Sequence, residues 1–227
     1  MLMSSSERIP LMKRSIFWLV ILIMIAGATY IYEKDLFSNG LEAITVSTNG
    51  KKLPIYRVST DKPMVALSFD AAWGNEDTQK ILDILKKYKI NVTFFMTGGW
   101  VESYPDDVKA IKAAGHDLGN HSEHHKHMPQ LSNSSICDEL NTVTEKVEKL
   151  TNTKMCLFRP PYGDYNNALI EQAKNCGYYT IQWDVDSLDW KNYGVEPIVK
   201  TVLNHKSLKN GSIILMHNGA KYTAQAL

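Results

Sequence analysis

From Met64 onward, short apolar runs alternate with stretches whose apolar residues recur at helical spacing, and this alternation restricts the chain to one fold class. The run MVALSF, ending at Asp70, reads as a strand. Residues 76–88 follow with Ile81, Leu82, Ile84, Leu85 and Tyr88 on one helical face. The same reasoning predicts strands over 91–96, 116–120, 155–158, 178–183 and 212–216, and helices over 105–114, 132–150, 167–176 and 196–204. Ser132 is the expected N-cap of the longest helix. Strands alternating with helices give an α/β fold with a parallel sheet, open or closed. Upstream, residues 33–62 read as a connector, in which Ile44, Val46, Leu53, Ile55 and Val58 flank Asn49-Gly50 as a short hairpin would.

In such sheets, functional groups gather just past the C-terminal ends of the strands. Here those ends read SFDAAWG, NHSEHHKH, FRPPYGDYN, WDVDSLDW and ILMHN. His121 and His125 are spaced i, i+4, which on a helical turn sets both imidazoles on one face, able to bind one divalent metal. A solvated polar loop is the competing reading. Asp70 suits a metal ligand, a general base or an N-cap. His217 suits a core histidine or, at its strand tip, a general acid. Arg159 suits a surface ion pair or a buried partner that keeps Asp70 ionised. Trp100 and Trp190 suit core positions or a sugar-stacking platform, and Thr97-Gly98-Gly99-Trp100 suits the wall of a groove.

The charges nearly cancel, 25 basic against 24 acidic, so no electrostatic case for nucleic acid exists. A mean hydropathy of −0.24 excludes a polytopic membrane protein but conceals one uncharged run, IFWLVILIMIAGATYIY, from Ile16 to Tyr32. Segment 15–32 is long enough to span a bilayer as a helix. Arg8, Lys13 and Arg14 ahead of it predict a cytoplasmic N-terminus over residues 1–14 and an exported remainder. Ala26-Gly27-Ala28 supports the rival reading, a cleaved signal and a secreted protein. The three cysteines lack C-x-x-C spacing, which argues against a cysteine zinc site. Core thiols are the favoured state, with one disulfide, for instance Cys156 with Cys176, permitted in an exported domain.

Taken in order, five of these segments resemble the motifs of the polysaccharide deacetylases, the NodB-homology domain of carbohydrate esterase family 4. SFDAAWG is similar to the first motif, His121-Ser122-Glu123-His124-His125 to the second and Arg159-Pro160-Pro161-Tyr162-Gly163 with Asn166 to the third. Asp186-Ser187-Leu188-Asp189-Trp190 is similar to the fourth, and Leu215-Met216-His217 to the fifth. The resemblance covers residues 63–227, and the SFDAAWG variant with its N-terminal anchor looks most like the membrane-anchored, PdaB-like members of spore-forming bacteria. It implies a distorted parallel (β/α) barrel preceded by one transmembrane helix. It also implies hydrolytic N-deacetylation of a polysaccharide, with peptidoglycan favoured by a membrane-tethered, extracytoplasmic domain. The rival substrates are chitin-like or O-acetylated polysaccharide.

The residue roles carried by the resemblance are these. A divalent metal, usually zinc, would sit on His121 and His125. Asp70 would act as base, Arg159 would orient it, and His217 would act as acid, held protonated by Asp189 or else by Asp186. Tyr162 would supply a backbone N–H to the oxyanion, and Tyr162, Trp190, Trp100 and Leu215 would line the substrate site.

This sequence departs from the family pattern in two places. Ala71 stands where the family has a second, metal-ligating Asp, so weak metal binding is expected, or recruitment of Asp70, Glu76 or Asp77 as a replacement ligand. The chain also stops ten residues past His217, which predicts a barrel incomplete at its C-terminus. Both departures keep a third function open, a catalytically degenerate wall-binding or sporulation-assembly protein.

Overall fold

The structure, a computed structural model, describes residues 50–227. The expected membrane segment 15–32, residues 1–14 and most of the connector lie outside the described residues. Among the described residues no helix is long and apolar enough to cross a membrane.

Seven strands, all parallel, form one curled half-barrel sheet: β1 (Ala66–Ala71), β2 (Thr93–Met96), β3 (Asp117–Asn120), β4 (Leu157–Phe158), β5 (Tyr179–Thr180), β6 (Val185–Asp186) and β7 (Ile213–His217). Their order across the sheet is β5-β4-β3-β2-β1-β7-β6. Helices α1 (Thr78–Tyr88), α2 (Gly98–Ser103), α3 (Pro105–Ala113), α4 (Asn133–Thr151), α5 (Asn167–Asn175), α6 (Val195–Leu203) and α7 (Thr223–Ala226) fill the connections. The parallel α/β class is therefore as read from the alternation.

Local chemistry explains the boundaries. Ser132 caps α4 by accepting the Ser135 N–H, and Asn166 caps α5 by accepting that of Leu169. Helix α1 turns Ile81, Leu82 and Leu85 inward and stops at Lys89, whose φ of 56° is left-handed. Along β1 the pleat alternates. Phe69 and Ala71 join the core under the helices with Phe94, Met96, Trp100 and Met216. Ser68 and Asp70 take the opposite, inner face, where both meet Arg159.

The first arm of the hairpin expected around Asn49-Gly50 lies outside the described residues, and residues 53–58 run as a strap. Ile55 bridges Ile181, just past edge strand β5, while Arg57 bridges Ser212 at the start of β7. Arg57 also pairs with Asp184 at 2.7 Å. The strap thus touches chain on both sides of the gap between edge strands β5 and β6, and Ile55, Ile181, Ile213 and Phe95 form a small apolar plug there. The predicted strand over 178–183 shortens to two residues, because the chain leaves β5 to cross this gap. A separate two-residue strand, β6, follows it.

Candidate active site

The parallel register sets the reactive strand ends side by side. Asp70 lies level with His217 on β7 and with Phe95 on β2, and Asn120, the residue before His121, lies level with Phe158, the residue before Arg159. A cavity of about 390 Å³ opens over these tips, lined by Asp70, His121, His125, Tyr162, Trp190 and His217 among others. Leu215 and Asp186 also line it.

Arg159 is fully buried and is held through both Nη atoms, while its buried Nε has no hydrogen-bond partner among the described residues. Its Nη1 donates to Asp70 Oδ1 at 2.7 Å, and its Nη2 donates to Ser68 Oγ at 2.8 Å and to the Gln182 carbonyl at 3.3 Å. Its guanidinium lies 4.1 Å from the centre of the Phe95 ring. Burial alone would push the Asp70 carboxyl up, but the Arg159 charge, with His121 and His217 nearby, holds it below the ordinary aspartate value. Asp70 is therefore an oriented carboxylate.

His217 is held as firmly. Asp189, fully buried, accepts from His217 Nδ1 and from its backbone N–H, both at 2.7 Å, and from Thr223 Oγ1 at 2.6 Å. Burial would lower the imidazole, but the hydrogen bond and charge of Asp189, with Asp70 and Asp186 beyond, raise it above its usual value. Of the two carboxylates expected to hold His217, Asp189 makes the contact. Asp186 instead accepts the Leu188 N–H and reaches His217 only through its charge.

His121 and His125 come together, 4.9 Å between ring centres, but not on a helix. Residues 121–127 form an irregular loop in which Ser122 (φ 67°) and His125 (φ 52°) are left-handed, and those two turns bring the rings to one place. His121 Nδ1 donates to the Arg159 carbonyl at 2.7 Å, which leaves Nε2 as a lone pair 3.5 Å from Asp70 Oδ2. Burial pushes both imidazoles down, His125 to about 4, so each is a neutral ring.

Two neutral imidazoles, one with its distal nitrogen bonded to a carbonyl, are a suitable donor pair for a divalent cation. A third protein ligand is not in place. Ala71 is fully buried in the core under the helices, and among the described residues no group of three His, Cys, Asp or Glu side chains is gathered to hold a metal. Asp77 Oδ1 accepts from Asn218 Nδ2 and the Gly219 N–H while its Oδ2 has no partner among the described residues, and neither Asp77 nor Glu76 lines the cavity. The donors present fit a cation held by two histidines with water completing its shell, not a three-residue cage.

Tyr162 sits at the lip, 62% exposed, with a left-handed φ of 61° and its ring stacked on His127. Trp190, 47% exposed, presents a second aromatic face to the cavity. The expectation for Trp100 fails. Thr97 caps α2 rather than ending in a groove, so Trp100 turns inward, is 2% exposed and donates its indole N–H to the Gly74 carbonyl. Two lining aromatics escape the sequence reading, Trp73, stacked on His217 with 5.3 Å between ring centres, and Trp183. Each lies a few residues past a strand tip, and that position was the available signal. The cysteines also differ from expectation: Cys137 and Cys176 form a disulfide between α4 and the end of α5, and Cys156 is free and exposed.

A parallel α/β half-barrel with a buried Asp–Arg pair, an Asp–His pair and two clustered imidazoles at its strand tips defines a narrow class of proteins. Residues 57–181 match the family model of the polysaccharide deacetylases, and the chain belongs to that family. It is 35% identical over 175 residues to the peptidoglycan-N-acetylmuramic acid deacetylase PdaA of Bacillus subtilis, covering 76% of this chain and 66% of that one. It is 34% identical over 174 residues to a peptidoglycan-N-acetylglucosamine deacetylase of Bacillus cereus, covering 76% and 80% respectively. Among solved structures, a CE4 family pseudoenzyme from Bacillus anthracis superposes with a TM-score of 0.73 at 37% identity, covering 77% of this chain and 61% of that one. The chain therefore spans less than two thirds of PdaA and of the pseudoenzyme.

Proposed function

We propose that this protein hydrolyses N-acetyl groups from amino sugars of cell-wall peptidoglycan. The observation that carries the reading is the opposed pair on adjacent strands, an Arg159-anchored Asp70 beside an Asp189-anchored His217, facing one cavity with two neutral imidazoles. Relatives of known substrate, the muramic acid and glucosamine deacetylases, support the choice of polymer.

The residues divide the work as follows. His121 and His125 would hold a divalent cation, zinc being the first choice for two imidazoles, which when bound polarises the acetyl carbonyl and acidifies the attacking water. That acidification matters because Asp70, held low by Arg159, is a weak base on its own. Asp70 Oδ2 takes the proton of the attacking water. The Tyr162 backbone N–H donates to the developing oxyanion. Asp189 keeps the His217 Nδ1 proton occupied, so Nε2 delivers its proton to the departing amine. Trp190 and Tyr162 present aromatic faces to the sugar rings at the lip. The products are acetate and a free amino sugar. We place the domain outside the cytoplasm, tethered by segment 15–32 or released by its cleavage. The uncharged run and its basic flank support that placement.

A second reading has its own support. Ala71 removes one expected ligand, and the similar Bacillus anthracis protein is described as a pseudoenzyme that a mutant restores to activity. On this reading the cavity binds wall polymer without turnover. Acetate release from purified peptidoglycan, with and without added zinc, separates the two. Release that requires Asp70 and His217, lost in Asp70→Asn and His217→Ala, establishes the enzyme. No release with any divalent cation establishes the binding protein.

A further inference from the structure

We infer that Glu139, on α4, is the positioning residue that holds the His121–His125 loop in ligand geometry. The inference rests on reading these two histidines as cation ligands. Residues 121–127 have neither helix nor strand to set their conformation, and Ser122 and His125 both adopt a backbone that side-chain-bearing residues rarely take. Such backbone persists only where its surroundings over-determine it. On the near side Asn120 Oδ1, at the end of β3, accepts the Ser122 N–H at 2.9 Å, the Ser122 carbonyl accepts the Gly98 N–H at 3.1 Å, and Ser122 Oγ accepts the His125 N–H at 3.0 Å.

On the far side His127 Nδ1 meets Asp164 Oδ2 at 3.2 Å in an exposed contact, and the buried support comes from Glu139. Its Oε2 accepts the His124 N–H at 2.8 Å, and its Oε1 takes His124 Nδ1 and Lys126 Nζ, each at 2.9 Å. The two residues flanking His125 are thus pinned to one carboxylate, and His125 is left to turn its ring toward His121 and Tyr162. The Glu139 side chain is only 5% exposed, while those of His124 and Lys126 are 62% and 52% exposed. A buried carboxylate is costly to keep unless its partners matter. Glu139 does not line the cavity, so it touches neither substrate nor cation. Its neighbours on α4, the Leu140 carbonyl and Thr144 Oγ1, receive the Asn120 amide, so one helix face secures both ends of the turn.

The test combines zinc titration by calorimetry with amide exchange of the metal-free protein, on wild type, Glu139→Ala and Glu139→Gln. The expected result for Glu139→Ala is zinc affinity lowered at least tenfold, with exchange at the His125 amide accelerated at least tenfold and exchange at Val143 and Val147 unchanged. Glu139→Gln, which keeps an acceptor for the His124 N–H, should fall between. A purely structural role would accelerate exchange along α4 as well and leave the affinity of the folded fraction unchanged; that result, or affinity within twofold of wild type, overturns the inference. If wild type itself takes no zinc, or His121→Ala takes it equally well, the ligand reading fails first, and the inference falls with it. Should Glu139→Ala not fold, the double variant His124→Ala with Lys126→Met removes the two side-chain contacts from exposed positions while keeping the His124 N–H bond; like Glu139→Gln, it is expected to fall between wild type and the full loss, and zinc affinity within twofold of wild type overturns the inference.

Discussion

Asp70 and Arg159 form an ion pair with almost no access to water, and such pairs behave asymmetrically. Removing one partner strands the other charge in the sheet. Arg159→Met is therefore expected to cost about 3–5 kcal/mol in urea unfolding, and adding Asp70→Asn to it should recover part of that loss. Asp189 and His217 make a pH prediction. His217 is raised in the folded state, so its share of stability is fully present below the unfolded histidine pKa, about 6.5, and is lost as pH rises through the folded value. Asp189 is lowered, so its share is present above the unfolded aspartate pKa and is lost as pH falls through the folded value. Activity should fall on the alkaline side as His217 loses its proton. Asp189→Asn should move that limb to lower pH and reduce kcat by at least about a hundredfold. Ala71 supports a third test. Ala71→Asp places a carboxylate in a dry core, so the metal-free protein should lose at least about 2 kcal/mol. If the new carboxylate reaches a cation at His121 and His125, added zinc should raise the variant's Tm more than it raises that of wild type, and equal zinc shifts would show that it does not reach.

At the scale of elements, the caps and the loops behave differently. Ser132 accepts the Ser135 N–H at 3.2 Å at the start of a 19-residue helix, so Ser132→Ala should cost about 1 kcal/mol without altering the strand tips. Thermal unfolding followed at 222 nm would measure it. What the sequence made legible follows the same division. Strands and helices long enough to show a period were found within a few residues, and with them Asp70, Arg159 and His217, because each directly ends or follows an apolar run. Short elements were lost. β6 is two residues inside WDVDSL and has no period to read, and α2 begins at Gly98 because the Thr97 hydroxyl caps it, which turned Trp100 from a groove wall into core. His121 and His125 were found by a spacing argument that assumed a helical turn. Two left-handed residues achieve the same approach, and no periodicity reports those.

For the molecule as a whole, contacts distant in sequence decide what local pattern cannot. The Cys137–Cys176 disulfide is one; the sequence favours core thiols and permits Cys156 as a partner of Cys176, yet Cys156 stands free. Closing the loop between residues 137 and 176 is worth about 4 kcal/mol on the chain-entropy account. Reduction, or replacement of both cysteines by serine, should lower the urea midpoint by an amount equivalent to about 2–4 kcal/mol, with acetate release at low denaturant unchanged. The strap is the other such contact. It joins Ile55 to Ile181 and Arg57 to Ser212, so residues made early must wait for residues made late. The Arg57–Ser212 side of the strap cannot close before residue 212 has been made, so a chain released short of that point would leave the gap between β5 and β6 open.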